Sequence, residues 1–456
     1  MAGSTRLSAA EGNRIMHYAE HYHDHTASLP GQTLPWLKTL RKSAEIQFAT
    51  QGFPSMREEE WRYTDLAALT KTLYTPSPES GSNQEIAALV ERYRLADSLV
   101  MVFIDGRFCA GHSQLSELPA GVELLSLAVA LTACPTKIEP LLHQTTSSEE
   151  HGLIAFTTAY FSDGLFVHVP EGVVVERPIQ LLSIGSRNEG LAALRNIIAL
   201  DRHAQASVIE TWMGADSANY LTTAITEITL ADNACLDHYK LQLESSKAQH
   251  FGGIYARQAR NSRLHQQHAA FGGLMARTEI HSTLGTAAEC ELEGLFLASG
   301  RRHLDTHTRV RHAEAQASSR ENYRGIASDR GRGVFSGRIV VDKAAQKTDA
   351  AMSCRNLLLS ANAEIDSKPQ LEIHADDVKC AHGVTVGQLD AGAVFYLESR
   401  GIDEASARNM LTFAFANEMV GNIRIPGLKT QVQEALLAHL PQTSIRGEWS
   451  IRGEWL

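Results

Sequence analysis

The pattern of apolar and polar positions divides the chain into three stretches. From about residue 8 to 75, apolar residues recur at helical steps. Trp36, Leu37, Leu40, Ala44 and Phe48 form the stripe of an amphipathic helix. Gly52-Phe-Pro54 breaks that helix, and Asp65-Leu-Ala-Ala-Leu69 reads as the start of a second, shorter one. From about 98 the period changes to that of strands. Leu99-Val-Met-Val-Phe-Ile104 runs into Asp105-Gly106, a strong turn signal. Gly164-Leu-Phe-Val-His-Val-Pro170, Val173-Val-Val175, Ile225-Thr-Glu-Ile-Thr-Leu230 and Gly337-Arg-Ile-Val-Val341 read as further strands.

A loose repeat runs through this middle stretch. Short alanine-containing polar turns precede alternating segments at His203-Ala-Gln-Ala-Ser-Val208, Asp232-Asn-Ala-Cys-Leu236, Ala287-Ala-Glu-Cys-Glu-Leu292, His312-Ala-Glu-Ala-Gln316 and Ala361-Asn-Ala-Glu-Ile365. Many short strands with hardly any helix between them point to a solenoid such as a β-helix. Periodicity alone leaves a large β-sandwich equally open.

After about 388 the helical period returns. Asp390 is placed to cap a helix ending near Gly401, and Asp403 to cap the next, with Ala407, Met410, Leu411 and Ala414 on one face. A third helix carries Leu428, Val432, Leu436 and Leu440 at four-residue steps. The expected organisation is a helical region over 1–97, a β core over 98–387 and a helical region over 388–456. The tail repeats itself, as Ser444-Ile-Arg-Gly-Glu-Trp449 and again from Ser450 to Trp455.

Composition narrows the function classes. The chain has 456 residues, and its net charge of −10 disfavours sequence-independent binding to nucleic acid or to an anionic membrane surface. It shows no signal peptide pattern and no apolar run long enough for a transmembrane helix, so the expected compartment is the cytoplasm. The six cysteines include no CxxC pair and are expected to be reduced thiols.

Candidate chemistry concentrates in Leu371-Glu-Ile-His-Ala-Asp-Asp-Val-Lys-Cys-Ala-His-Gly383. In an extended segment Cys380 and His382 share a face, and so do His374 and Asp376 unless a turn at Asp376-Asp377 resets the register. Thiolate and imidazole suit iron, zinc or copper, but two donors do not close a site. Lys379 adjoins Cys380 but points to the other face of a strand. Cys354 precedes Cys380 by one coil if a coil is 26 residues long, which makes it a third candidate. Two histidine groups compete: His17, His21, His23 and His25 near the start, and His303, Asp305 and His307 in one strand. A solvated helix face accounts for the first group, and a stacked polar ladder accounts for the second as well as a metal or acid–base site does. The chain has no GxxxxGK[ST], no GxGxxG after a strand, no HExxH and no GxSxG, so no motif demands an enzyme.

Several segments together resemble the SufB/SufD family of iron–sulfur cluster assembly proteins. They include Gly52-Phe-Pro-Ser-Met-Arg-Glu-Glu-Glu-Trp-Arg-Tyr-Thr64, Ile104-Asp-Gly-Arg-Phe108, Gly333-Val-Phe-Ser-Gly-Arg-Ile-Val-Val341, Asn356-Leu-Leu-Leu-Ser360, Lys368-Pro-Gln-Leu-Glu-Ile373, the segment from Ala375 through His382-Gly to Gly387, and Phe395-Tyr-Leu-Glu-Ser-Arg-Gly401. SufB-like chains carry His-Glu-Ala-Thr where this one has His382-Gly-Val-Thr385 preceded by Cys380, which favours the SufD side.

The resemblance implies a mainly β fold, a right-handed parallel β-helix between N- and C-terminal helical regions. It implies a non-catalytic scaffold in a cytoplasmic complex. The partners would be SufB through the β-helices and the ATPase SufC at about 388–425, with a homodimer possible in isolation. Cys380 and His382 match the family's ligand positions, for a transient iron–sulfur cluster or iron at the partner interface rather than a stably bound cofactor. Cys354 falls where SufB-like chains carry an important cysteine. The runner-up is a β-helix carbohydrate-active enzyme, and a metal-storage role for the histidine clusters is a third reading.

Overall fold

A computed structural model describes residue 18, residues 25–67, 69, 71–77, 83–115 and 118–440. The repeated tail and the histidines at 17, 21 and 23 lie outside the described residues.

The centre is a parallel β-solenoid built from two ten-stranded sheets. From Leu165–Val169 onward the chain alternates between them, laying one strand on the first sheet and the next on the second. The first sheet runs from Glu123–Ser126 at one edge to Glu364–Ile373 at the other. The second runs from Arg107–Phe108 to Lys379–Gly387. Neighbours in the coils pair in parallel, and antiparallel strand pairs occur only at the first edge of each sheet. The solenoid alternative is thus the one that forms, and the sandwich does not.

The alanine repeat has a physical cause. The turns before six successive strands of the second sheet each contain a residue with positive φ: His203, Asn233, Asn261, Ala287, Gln316 and Lys347. In four of them the next residue is a fully buried alanine, Ala204, Ala234, Ala288 and Ala317. Its N–H can close the turn onto the carbonyl three residues back, as Ala204 does to Asp201 and Ala234 to Ala231. The positive-φ residue donates to the turn one coil further on, as His203 does to Asp232 and Asn233 to Arg260. A small side chain suits this closed corner, so the sequence repeats alanine there.

Alternate residues of the coil strands point inward. Ala224, Ile254, Ile280, Val310, Ile339 and Phe335 from the first sheet meet Val208, Leu236, Leu292, Phe296 and Met352 from the second in one apolar core. A charged cluster interrupts that core. Lys240 Nζ lies 2.9 Å from His250 Nε2, and His250 Nδ1 lies 2.8 Å from Glu244. Glu210 lies 3.2 Å from His238. Each of these buried groups has a partner, the condition under which burial of charge is tolerated.

Helices cover both outer faces. Helix α1 (Pro35–Gln51) buries Leu37, Ala44 and Phe48. Helices α2 (Gln84–Tyr93), α3 (Leu127–Ala133) and α4 (Pro135–Ile138) follow, and α5 (Gly152–Tyr160) is buried throughout. Phe48 meets Phe156 at 5.1 Å between ring centroids. At the other end come α6 (Ala391–Ser399), α7 (Glu404–Val420) and α8 (Pro426–His439). Asp390 and Asp403 cap α6 and α7, accepting from the backbone N–H of Gly392 and Ser406. Met419, Val420, Leu428, Val432 and Leu436 pack on Ile209, Leu241, Leu295 and Ile326 of the second sheet.

Three expectations are corrected. Residues 65–67 form no helix; the Asp65 carboxylate accepts from Ala67 N–H and holds a turn instead. Val173–Val175 contributes a single bridge, Val174 to Gln205, rather than a strand. In α7 Ala407 is buried as expected, but Ala414 is exposed, because the buried face follows Ser406, Asn409, Thr412, Ala416 and Met419.

Candidate functional site

Inward positions in the middle of the solenoid have a neighbour on both sides, one coil before and one after. The last coil has only one. Its strands, Glu364–Ile373 and Lys379–Gly387, each end their sheet. The free side of each strand therefore presents unpaired backbone groups, and inward-facing side chains there stand at an open mouth.

Cys380 and His382 belong to this mouth. Cys380 pairs with Ala350, His382 with Met352 and Val384 with Cys354. Ala350, Met352 and Cys354 are buried in the core, so Cys380, His382 and Val384 continue inward-facing columns. Cys380 and Val384 are half-buried against the core, while His382 is exposed. Ile373 and Val386 leave apolar surface on the same two strands, 41% and 47% exposed. A groove of about 480 Å³ opens beside the strand, lined among others by Glu291, Glu293, Arg320, Ser353 and His382.

The expected face-sharing of Cys380 and His382 holds, two residues apart in one strand. His374 and Asp376 do not join them. The first-sheet strand ends at Ile373 and the second-sheet strand begins at Lys379, so the turn between them resets the register. Partial burial raises the Cys380 thiol above its usual range, with Asp349 pushing the same way against a backbone hydrogen bond at Ala350. Lys379, on the opposite face, does not activate it. At neutral pH Cys380 is therefore a thiol, which must lose its proton before it can act as a ligand or a nucleophile.

Cys354 is a different case. The coil step here is thirty residues, from Cys354 to Val384, so Cys380 lies four strand positions away from the residue beside Cys354. Cys354 is fully buried, and burial pushes its thiol up to about 12. Its Sγ lies 3.5 Å from Asn356 Oδ1, to which it donates. Among the described residues no group of three or more His, Cys, Asp and Glu side chains is arranged to hold a metal ion.

His303, Asp305 and His307 share an outer face of the first sheet, as their spacing predicts, but they serve a structural network. The segment Glu59–Thr64 lies across them. Thr64 Oγ1 is 2.8 Å from His303 Nε2 and donates to Asp305 at 2.5 Å. Arg277 donates to Asp305 at 2.7 Å and to Glu279 at 2.7 Å, with its guanidinium 3.7 Å from the centroid of the Trp61 ring. Glu60 pairs with Arg338 and Glu59 with Lys368, each at 2.6 Å. His25 precedes a short 3₁₀ turn, Thr26–Ser28.

No helix among the described residues is long and apolar enough to cross a membrane. Helix α6 buries only Val394 and leaves Phe395 and Tyr396 70% and 57% exposed. Spacing along the chain singles out Cys380 and His382 but misses the Glu59–Thr64 strap and the hydrogen bonds of Asn356. The acidic triplet before Trp61 is the signal that could have pointed to the strap, and no local pattern marks Asn356.

Comparison with known proteins agrees over most of the chain. Residues 183–415 match the family described as "SUF system FeS cluster assembly, SufBD core domain", and residues 13–181 match "SufBD protein N-terminal region". The iron-sulfur cluster assembly protein SufD of Escherichia coli is 33% identical over 401 residues, covering 87% of this chain and 91% of the relative. An iron-sulfur cluster assembly SufBD family protein of Synechocystis is 29% identical over 414 residues, covering 88% and 90%. The SufD of Bacillus subtilis is 23% identical over 406 residues, covering 87% and 92%.

Proposed function

We propose a scaffold role for this chain, which belongs to the SufB/SufD family of SUF iron–sulfur cluster assembly proteins and stands on its SufD side. It takes part in building clusters for other proteins and has no turnover of its own. Its open last coil pairs with the β-helix of a SufB subunit, and the C-terminal helices, including the exposed Phe395 and Tyr396, receive the ATPase SufC. His382 and Cys380 supply part of a ligand set for a nascent cluster or its iron, and the partner supplies the rest. The cluster is cargo.

The observation that carries this reading is the position of the two donors. An imidazole and a thiol face the mouth of the solenoid, two residues apart, on a strand whose outer edge is unpaired. They are too few to hold a metal alone, and a second chain covering the mouth would complete the set. The same cover would bury Ile373 and Val386. An isolated chain has the option of covering its mouth with a second copy.

The test is co-expression with SufB and SufC followed by purification of the complex. The reading expects His382→Ala and Cys380→Ala to leave the complex folded and assembled and to lower its cluster content, His382→Ala more strongly. Full cluster content in both variants overturns the site assignment.

A further inference from the structure

The last coil should be the least determined part of the solenoid, since each of its strands has one neighbour instead of two. Yet the proposed donors need a fixed geometry. We infer that Asn356 is a positioning residue that locks both strands of the last coil and so presents Cys380 and His382 in register, a role that rests on the scaffold reading above.

The geometry is specific. Asn356 lies on Asp349–Leu358, the second-sheet strand of the coil before the last, and its side chain points inward and is 3% exposed. Its amide nitrogen donates to Ser367 Oγ at 3.0 Å, across the interior on the last strand of the first sheet. It also donates to the Thr385 carbonyl at 3.1 Å, on the last strand of the second sheet. The amide oxygen accepts from Cys354 Sγ at 3.5 Å. One side chain thus spends both N–H groups on the two terminal strands, one on each. Gly325, one coil earlier in the same column, leaves the space: a Cβ there would stand 2.3 Å from Asn356 Oδ1.

The middle coils contain no such need, since ladder bonds on both sides fix them. A buried amide whose donors lost their acceptors would be left with an unsatisfied polar group, so the three contacts hold or fail together. Cys354 acquires a role in this arrangement. Its thiol, kept protonated by burial, donates to Asn356 and orients the amide so that both N–H groups face the last coil. A hydroxyl in its place can make the same bond.

The experiment uses the full chain, alone and in the co-purified complex. Hydrogen exchange read by mass spectrometry compares peptides from 364–387 with peptides from 263–312. Asn356→Leu, which keeps the branched shape of the side chain and removes the donors, is expected to speed exchange in 364–387 at least tenfold and to leave 263–312 unchanged. In the complex it is expected to lower cluster content toward the level of His382→Ala. Cys354→Ser is expected to match the wild type in both readings. Unchanged exchange in Asn356→Leu overturns the inference. Faster exchange with full cluster content also overturns it, provided His382→Ala loses its cluster. Should His382→Ala keep its cluster, the scaffold site fails instead and the exchange result alone decides the lock.

Discussion

The middle coils and the last coil are made from the same columns of inward-facing positions, and they differ in what stands beside them. In the column of His382, Gln266, Leu292, Glu321 and Met352 are all buried, and His382 is exposed. In the next column Tyr323 and Cys354 are fully buried, while Val384 is half open. The difference between core and candidate site is therefore not the residue's direction. It is whether another coil follows. A solenoid ends by exposing a cross-section of its own core, and here that section holds unpaired strand edges, apolar side chains and two donors together.

The largest contrast is between the mouth and the buried interior just one coil behind it. Phe335 is fully buried, and its ring centroid lies 4.7 Å from that of Tyr323. Phe335→Ala should cost about 3–5 kcal/mol in denaturant unfolding. His382→Ala at the mouth should stay within about 0.5 kcal/mol of the wild type, as surface changes do. Equal losses would mean that the mouth is as well packed as the interior.

The strap gives the next effect. Arg277 is held by Asp305, Glu279 and the Trp61 ring under the Glu59–Thr64 segment. Arg277→Met leaves two buried carboxylates without their cation and should cost about 3 kcal/mol. Limited proteolysis should then cut near residues 55–67 before it cuts the coils.

A further effect depends on pH. Burial pushes the Glu321 carboxyl up to about 7, against a hydrogen bond from Thr308. The folded pKa is raised above the unfolded one, so the folded chain holds a proton that the unfolded chain releases. Below about pH 4.5 both states carry it and nothing is lost. Stability falls as pH rises from there to about 7 and then levels off, at a cost on the order of 3 kcal/mol. Glu321→Gln should therefore gain on the wild type between pH 5 and pH 8 in thermal unfolding. A constant gap across that range would show that Glu321 is ionised throughout.

The thiols give the finest distinction. In the native chain, iodoacetamide should modify Cys380 well before Cys354 and Cys290, which are fully buried and have raised thiol pKa values. Mass spectrometry after a time course reads the order, and early modification of Cys354 would place it at the mouth rather than in the core.

Much of the fold was legible because it repeats. The alanine after a positive-φ turn residue marks the corner of several coils, and the strand Leu99–Ile104 and the caps at Asp390 and Asp403 stand where their signals put them. Helix α5 was not legible, since it is buried on all sides and has no polar face to give it a period. The pairing of Cys354 with Cys380 failed for a metric reason. Coil length varies with its loops, from 26 residues between the paired Gln249 and Met275 to 32 between Arg332 and Glu364. A spacing of 26 is thus one coil in one place and four residues short of it between Cys354 and Val384. The strap was hidden because Glu60 and His307, like Glu59 and Lys368, meet only through the fold.

If the inward face of the last coil, rather than the buried interior, carries the cluster-building chemistry, loss of His382 must matter and a conservative change at Cys354 must not. The most direct measurement is the iron and sulfide content of the co-purified complex carrying His382→Ala beside one carrying Cys354→Ser. The account predicts that the first loses most of its cluster and the second retains it. A complex that keeps its cluster without His382, or loses it with Cys354→Ser, contradicts the account.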